Sequence, residues 1–175
     1  MRKLILAGVL ACLAPAPFAG AADAPSADLF AGYSLLRIDD ASLDTTESFH
    51  GWQASLAKNL GGHFGLVADV SSHSKQGSDD LTYMGGLRYA FHGSHATFFV
   101  HGLAGGIRNS SGIEVLNVKI SETENVFAWA AGGGLSFRVS GHFDIRVQGD
   151  YLSFEQDGES QGNLRFAAGL AYVFR

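Results

Sequence analysis

The sequence predicts an all-β fold, an eight-stranded antiparallel up-and-down transmembrane β-barrel. Eight stretches alternate apolar with small or polar residues, the period of a strand with one apolar face. The connections between them alternate long and short, as in barrels with long external loops and short periplasmic turns. An export signal precedes them. The last stretch, Gly162–Arg175, has its apolar face at Leu164, Phe166, Leu170, Tyr172 and Phe174.

The first 21 residues are predicted to be a signal peptide, and residues 22–175 to form the barrel domain. Met1-Arg2-Lys3 is basic, Leu4–Ala14 is apolar but too short to span a bilayer, and Ala19-Gly20-Ala21 suits cleavage. Losing Arg2 and Lys3 would take the formal net charge from −5 to −7, which argues against nucleic acid as a partner.

The single cysteine, Cys12, falls inside this signal, so no disulfide or thiol chemistry is expected in the exported chain. The alternative interpretation makes Cys12 a lipoprotein acylation site. It is disfavoured because it would need an unusually short signal segment.

Each predicted strand rests on outward apolar residues two positions apart. From the first strand to the eighth, examples are Leu29 and Ala31, Trp52 and Ala54, Leu66 and Ala68, Leu87 and Tyr89, Phe98 and Val100, Phe127 and Trp129, Ile145 and Val147, and Leu170 and Tyr172. The predicted bounds are Ala27–Arg37, Phe49–Leu60, Phe64–His73, Leu81–Phe91, Ala96–Arg108, Val126–Val139, Phe143–Phe154 and Gly162–Arg175.

The sequence predicts special features in three strands. The β-branched stretch Ile113–Ile120 predicts that strands five and six extend beyond the bilayer as a hairpin. The alternation breaks at Leu152–Phe154, which predicts a bulge in strand seven. An even number of strands places both termini on the short-turn side, in the periplasm.

The outward faces are predicted to meet lipid, with aromatic rings near the headgroups. The membrane-facing aromatic residues are Tyr33, Trp52, Phe64, Tyr83, Tyr89, Trp129, Phe143, Tyr151, Tyr172 and Phe174. Lys58 also points outward, beside a short turn where it can reach the interface. A soluble, lipocalin-like barrel is the structural rival, and it would carry its apolar residues inside.

The inward faces predict a polar network in the lumen, formed by Asp69, Arg88, His101, Arg138, Arg146, Gln148, Asp150 and Arg165. Eight strands leave room for side chains alone, so these charges must pair. The predicted pairs are Asp69 with Arg88 and Asp150 with Arg165, on neighbouring strands. An ion path or a catalytic cluster is the less favoured interpretation.

The long connections are acidic, with twelve of the 17 acidic residues. These are Asp39, Asp40, Asp44, Glu47, Asp79, Asp80, Glu114, Glu122, Glu124, Glu155, Asp157 and Glu159. Solvated loops are the simpler interpretation. The alternative is divalent cations that bridge to lipopolysaccharide phosphates, or an adhesion partner.

No catalytic, cofactor or metal site is expected, because no nucleotide-binding, metalloprotease or hydrolase motif occurs. Rim histidines could in principle bind zinc: His63, His92, His95 and His142. A lipid-modifying enzyme could use His73 with Ser74. Neither is favoured, because the turns lie far apart and adjacent strand residues point to opposite faces.

Four segments resemble the outer-membrane β-barrel domain family, which is similar to the barrels of the outer membrane proteins A and X. They are Leu29–Arg37, Gly51–Leu56, Ala130–Leu135 and Asn163–Gly169. The resemblance implies insertion by the barrel assembly machinery, which reads an aromatic C-terminal strand. Here that assembly signal would be Leu170, Tyr172 and Phe174, followed by Arg175.

The sequence therefore predicts a small bacterial outer-membrane protein with a structural or surface-interaction role, a side-chain-filled lumen and acidic external loops. The alternatives are a narrow porin-like channel and, less favoured, a lipid-modifying outer-membrane enzyme. The expected partners are outer-membrane lipid and lipopolysaccharide, the barrel assembly machinery and periplasmic chaperones.

Overall fold

The computed structural model describes residues 25–40, 45–75, 78–115, 118–156 and 159–175. Eight antiparallel strands close into one barrel, in which chain neighbours pair and β8 pairs with β1. The strands are β1 (Ala27–Asp40), β2 (Thr45–Gly61), β3 (Phe64–Lys75), β4 (Ser78–His92), β5 (Ala96–Val115), β6 (Val118–Arg138), β7 (Phe143–Gln156) and β8 (Glu159–Phe174). The predicted fold class is confirmed. The proposed signal, residues 1–21, lies outside the described residues.

None of the described segments forms a helix long and apolar enough to cross a bilayer.

The pairing register sets how far the strands are staggered. A path of directly paired residues starts at Ala57 and runs through Val67, Gly86, Leu103, Ala130, Leu152, Asn163 and Ile38 to Glu47. It returns to β2 ten residues from its start, at position 47 instead of 57, so the shear number is ten. Strands in such barrels tilt by about 35–45°, and side chains fill the interior.

The strands run farther than predicted at the long-connection end. The hairpin of β5 and β6 is confirmed, because β5 continues to Val115 and β6 begins at Val118. The other predicted long loops are also largely paired strand. Backbone pairing needs only N–H and C=O groups, so it continues through polar sequence where apolar alternation ends. Residues 41–44, 76–77, 116–117 and 157–158 lie outside the described part.

The predicted division of each strand into an outward and an inward face is confirmed, and β1 illustrates it. Leu29 and Tyr33 are 47% and 56% exposed on the outside, whereas Phe30 and Ser34 are fully buried inside. The outer surface is apolar and the interior contains charged side chains. A soluble lipocalin-like barrel would have the opposite arrangement, so that alternative is wrong.

The predicted bulge in β7 is wrong, because Leu152–Phe154 pair without a register shift with both β6 and β8. A register shift lies instead in β2, between Asn59 and Gly61. It leads into the β2–β3 turn, where Gly61 and Gly62 have φ angles of 124° and 60°. These angles favour glycine, because residues with a side chain rarely adopt a positive φ angle, even where the surrounding space is open as it is here.

Candidate functional site in the barrel interior

Asp28, Arg88 and Arg146 form an ionic layer near the short-turn end of the barrel. This layer is called the lower layer. Arg88 Nη2 donates to Asp28 Oδ2 at 2.5 Å, and Arg146 Nη2 donates to Asp28 Oδ1 at 2.7 Å. Arg146 Nε also donates to Ser136 Oγ at 2.8 Å. One carboxylate from β1 therefore binds guanidinium groups from β4 and β7 across the interior.

Aromatic rings support the two arginines of the lower layer. The Cζ atoms of Arg146 and Arg88 lie 5.0 Å and 5.6 Å from the centroid of Phe99. Arg146 is also 5.5 Å from the ring of Phe30. Cations over aromatic faces are attracted by the ring quadrupole, most strongly when both are removed from water. The rings therefore offset part of the cost of burying two positive charges.

A second ionic layer, the upper layer, centres on Arg165 of β8, which is fully buried. Its Nη1 atom donates to Asp69 Oδ1 at 2.9 Å and to Ser71 Oγ at 3.0 Å. Its Nε and Nη2 atoms donate to Asp150 Oδ2 at 3.0 Å and 2.7 Å. Charged donors and acceptors form the stronger class of hydrogen bond, and this guanidinium joins β3 to β7 through β8.

The carboxylates of the upper layer have further partners. His101 Nε2 lies 2.8 Å from Asp150 Oδ1, and Gln53 Nε2 donates to Asp69 Oδ2 at 2.6 Å. Gly132 of β6 is paired with His101 on one side and with Asp150 on the other. A Cβ atom at Gly132 would overlap the Asp150 carboxylate. Glycine at this position therefore leaves the space in which β5 and β7 make contact.

An apolar cluster fills much of the remaining interior, and most of its larger side chains lie on the long-connection side of the lower layer. Leu36, Met84, Leu103, Ile107 and Leu152 belong to it, and none is more than 6% exposed. The partly buried rings of Phe49 and Phe154 pack against it. The two ionic layers and the apolar cluster thus fill the interior together, and Met84 of the cluster is paired with Asp69 of the upper layer.

The two predicted ion pairs have different outcomes. Arg165 and Asp150 are in contact, since the register places them directly opposite each other. The Asp69–Arg88 pair is wrong, because Asp69 binds Arg165 and Arg88 binds Asp28. Asp69 is paired with Met84, four residues before Arg88, or about 13 Å along the strand. The two side chains therefore lie at different heights on adjacent strands, and each finds its partner on a strand that is not adjacent to its own.

The other predicted lumen residues divide between the interior and the rim. Gln148 is buried with the ionic layers. Arg138 lies apart from both, because its Nη1 atom donates to the carbonyl oxygen of Ser94 at 2.9 Å in the β4–β5 turn. Arg138 does lie on the inward side of the alternation, as predicted, but β6 ends at this residue, so its side chain reaches the turn.

Sequence reasoning missed Asp28, on which the lower layer depends. Asp28 lies on the same inward face of β1 as Phe30 and Ser34, and extending that alternation by one step would have found it. Gln53 and Ser71 were missed because uncharged residues on an inward face give no signal of pairing.

The candidate enzyme and metal sites are not assembled in the described structure. His73 is buried, with Nε2 2.9 Å from Ser34 Oγ, whereas Ser74 is exposed on the outer face. Among the residues whose side chains are described, no three or more His, Cys, Asp or Glu residues are grouped to hold a metal ion. His63 instead packs against the rings of Tyr89 and Phe91.

Two bands of aromatic residues encircle the outer surface. The upper girdle comprises Tyr33, Trp52, Tyr83, Trp129 and Tyr151, and the lower girdle Phe64, Tyr89, Phe137, Phe143, Tyr172 and Phe174. Eight residues separate the girdles in β6 and β7, which is about 27 Å along a strand and about 20 Å of height after tilting. This approaches the apolar band of about 25 Å in outer-membrane barrels.

Polar residues replace apolar ones on the outer surface above the upper girdle. Arg37, Ser48, His50 and Ser74 are all exposed there. The hydroxyl of Tyr33 shares a hydrogen bond with His50 Nδ1. Amphipathic rings at the boundary of an apolar band are typical of a membrane interface.

Comparison with known families agrees with this surface. The family model described as "Outer membrane protein beta-barrel domain" matches residues 4–174. The chain belongs to this family. Membership places the barrel in the outer membrane, with its strands crossing the bilayer. No curated protein matches the sequence.

Several solved members of the outer-membrane barrel class share the fold. Neisserial surface protein A is 10% identical, with a TM-score of 0.69 over 85% of this chain and 97% of that chain. Ail of Yersinia pestis, solved with the heparin analogue sucrose octasulfate, is 14% identical, with a TM-score of 0.58 over 83% and 97%. The N-terminal barrel of Pseudomonas aeruginosa OprF is 11% identical, with a TM-score of 0.54 over 86% and 98%.

The depth of an outward residue in the bilayer predicts the cost of a charge. Val147→Arg, midway between the girdles, is expected to destabilise the barrel by about 2–4 kcal/mol, against about 0–1 kcal/mol for Val139→Arg at the rim. Both valines are exposed, at 43% and 64%, so lost packing is similar. Urea unfolding in lipid vesicles measures the difference. Equal costs at the two positions would contradict this depth assignment.

Proposed function

We propose that this protein is a small outer-membrane barrel with a structural or surface-interaction role and an interior closed by its own side chains. The packed interior carries the proposal. Arg165 is 0% exposed between Asp69 and Asp150, and Leu103 and Leu152 are 4% and 1% exposed beyond it. A narrow porin-like channel is the alternative, and it would need both ionic layers and the apolar cluster to move aside.

Planar bilayer recording tests the closed interior. The purified barrel is expected to give no steady ionic current, because guanidinium–carboxylate pairs and packed apolar side chains leave no continuous path for hydrated ions. A known porin in the same bilayer shows that insertion and recording work. Steady, voltage-independent current from this barrel would overturn the closed-interior proposal in favour of the channel.

The proposed orientation places the long connections outside the cell and both termini in the periplasm. The described ends of the chain meet at the short-turn end, where the Ser26 N–H donates to the carbonyl oxygen of Phe174 at 2.8 Å. Lys58 is exposed on the outer surface near the same end. Short turns on the periplasmic side are the rule for this class of barrel.

The charge of the long connections indicates the chemistry of a surface partner. They carry twelve acidic residues but two lysines, Lys75 and Lys119. A cationic partner, or an anionic one bridged by calcium ions, would be complementary. A sulfated polyanion such as the heparin analogue bound to Ail would be repelled.

A binding experiment follows from this charge. The barrel in vesicles is expected not to bind sucrose octasulfate at physiological ionic strength. Salt screens charges beyond about 8 Å, but within that distance the acidic connections repel the sulfate groups. Ail in the same vesicles is the positive control. Tight binding without added calcium would contradict the proposal of an acidic interaction surface.

The proposed assembly partners are the barrel assembly machinery and periplasmic chaperones, with outer-membrane lipid and lipopolysaccharide as the final surroundings. Leu170, Tyr172 and Phe174 support the proposal, because all three are exposed on the outer face of the strand that closes the barrel. A lipid-modifying enzyme has less support, since His73 and Ser74 lie on opposite faces.

A further inference from the structure

The outward side chains of the closing strand recur in β4. Residues 83–91 read YMGGLRYAF, and residues 166–174 read FAAGLAYVF. Both begin with an aromatic residue, have glycine at the fourth position and share the spacing Leu-x-Tyr-x-Phe. Leu87, Tyr89 and Phe91 lie on the same face of β4 as Leu170, Tyr172 and Phe174 do on β8, and both strands run toward the short-turn end.

The pairing around these residues is the same in both strands. Tyr89 lies opposite Phe64, and Tyr172 lies opposite Phe143. The N–H groups of Ala90 and Val173 donate to the carbonyl oxygens of His63 and His142, both at 2.8 Å. The sequence Gly-His-Phe therefore begins the partner strand at the same register position each time.

The aromatic packing is also repeated. Tyr89 meets Phe64 edge-on at 4.8 Å and 74°, and Tyr172 meets Phe143 at 5.2 Å and 76°. The Tyr89–Phe91 and Tyr172–Phe174 contacts are both 4.9 Å, at 75° and 74°. Two edge-to-face clusters of the same composition thus lie half a barrel apart.

Turn chemistry does not account for the repetition. Gly62 has a positive φ angle, but Gly141 is not among the positive-φ glycines of the described residues. The other strands that run the same way also differ, although they keep the leucine. β2 carries Leu56-x-Lys58-x-Leu60, and β6 carries Leu135-x-Phe137, followed by Val139 just beyond its end.

A partly assembled barrel explains why two strands would need the same outward pattern. An open strand edge exposes unpaired N–H and C=O groups, which are costly in a membrane. A partner can cover such an edge by adding its own strand, and it then recognises alternate side chains. Once β1–β4 have paired, β4 is the open edge, as β8 is before it meets β1.

We propose that Leu87, Tyr89 and Phe91 form a second, internal assembly signal, which the machinery that receives the closing strand binds before β5 is added. This inference rests on the proposed role of Leu170, Tyr172 and Phe174 as the terminal signal. The chain would then be delivered to the membrane in two steps, one for each set of four strands.

Peptides of nine residues test the proposal directly. Peptides 166–174 and 83–91 are compared with 131–139 from β6 and 52–60 from β2, for binding to the purified, reconstituted assembly machinery. Peptide 83–91 is expected to bind within about threefold of 166–174, with the other two at least about tenfold weaker, a difference of 1.4 kcal/mol or more. Binding of 166–174 alone overturns the internal signal. Failure of both 166–174 and 83–91 overturns the terminal signal, and the internal one with it.

Substitutions in the whole chain separate recognition from stability. Tyr89→Ala with Phe91→Ala is compared with the control pair Phe137→Ala with Val139→Ala. After correction for each variant's own change in unassisted folding in detergent, the β4 variant is expected to assemble at least about fivefold more slowly with the machinery, a loss of about 1 kcal/mol of contacts, and the control pair is expected to show no such further slowing. Equal slowing of both variants with the machinery would overturn the proposal. If the β4 variant does not fold in detergent, the peptide comparison decides.

Discussion

Arg165→Ala is expected to lower the free energy of unfolding by about 3–5 kcal/mol, because it leaves buried carboxylates without their cation. Asp69 and Asp150 each accept hydrogen bonds from this guanidinium, at 2.9 Å and 2.7 Å. Both carboxylates are almost fully buried, and water that enters the space left by the side chain cannot supply the lost positive charge. Urea unfolding in detergent micelles, followed by the gel mobility of unboiled samples, measures the change.

Two control variants show whether charge is the cause. Arg138→Ala removes a guanidinium at the rim and is expected to cost about 1 kcal/mol or less, since its partner is an exposed carbonyl group. The second control adds Asp69→Asn and Asp150→Asn to an Arg165→Gln variant. This triple variant is expected to regain part of the stability that Arg165→Gln alone loses, because no unpaired charge remains buried. Similar costs for Arg165→Ala and Arg138→Ala would contradict the assigned role of the upper layer.

Deleting Tyr172–Arg175 is expected to abolish barrel closure. Tyr172 pairs with Leu29 of β1 and with Phe143 of β7, and Phe174 pairs with Ala27. Val173 N–H also donates to the carbonyl oxygen of His142. Without these residues the start of β1, Ala27–Leu29, loses its partner strand at the lower girdle. Each unpaired N–H or C=O group that enters the apolar band costs several kcal/mol. The heat-dependent gel shift and the membrane-inserted fraction are both expected to fall to background.

Removal of Arg175 alone is the matched control for this truncation. Arg175 lies after the last paired residue, so the shortened chain keeps every strand contact of β8. It is expected to assemble like the full chain. A folded, heat-modifiable band from the chain lacking Tyr172–Arg175 would contradict the role assigned to the closing strand.

Strand faces could be predicted because they follow from a local pattern. Tyr33 and Leu29 face outward and Ser34 faces inward for the same reason, the period of two along a strand. Strand ends could not be predicted in this way. In β3 and β4 the residues beyond the predicted ends His73 and Leu81 carry no apolar face, yet the two strands remain paired as far as Lys75 and Ser78.

The interior illustrates a second limit of local reasoning. Asp150 and Arg165 were predicted to pair because they lie on neighbouring strands, and the register places them directly opposite each other. Arg88 and Asp28 belong to β4 and β1, which are not adjacent, and their contact depends on the ten-residue stagger of the closed sheet. Such contacts across the lumen depend on the number of strands and on their shear, and no local pattern encodes them.

The sequence by itself determined the barrel, the inward and outward faces, and the aromatic character of the closing strand, because each follows from residues a few positions apart. The tertiary structure decided which charges meet, since closure brings distant strands to the same height around one narrow interior. It also decided that β4 repeats the closing strand in three dimensions. The letters Leu-x-Tyr-x-Phe occur twice in the chain, but equal register, equal partners and equal ring packing arise only when β3 pairs with β4 and β7 pairs with β8.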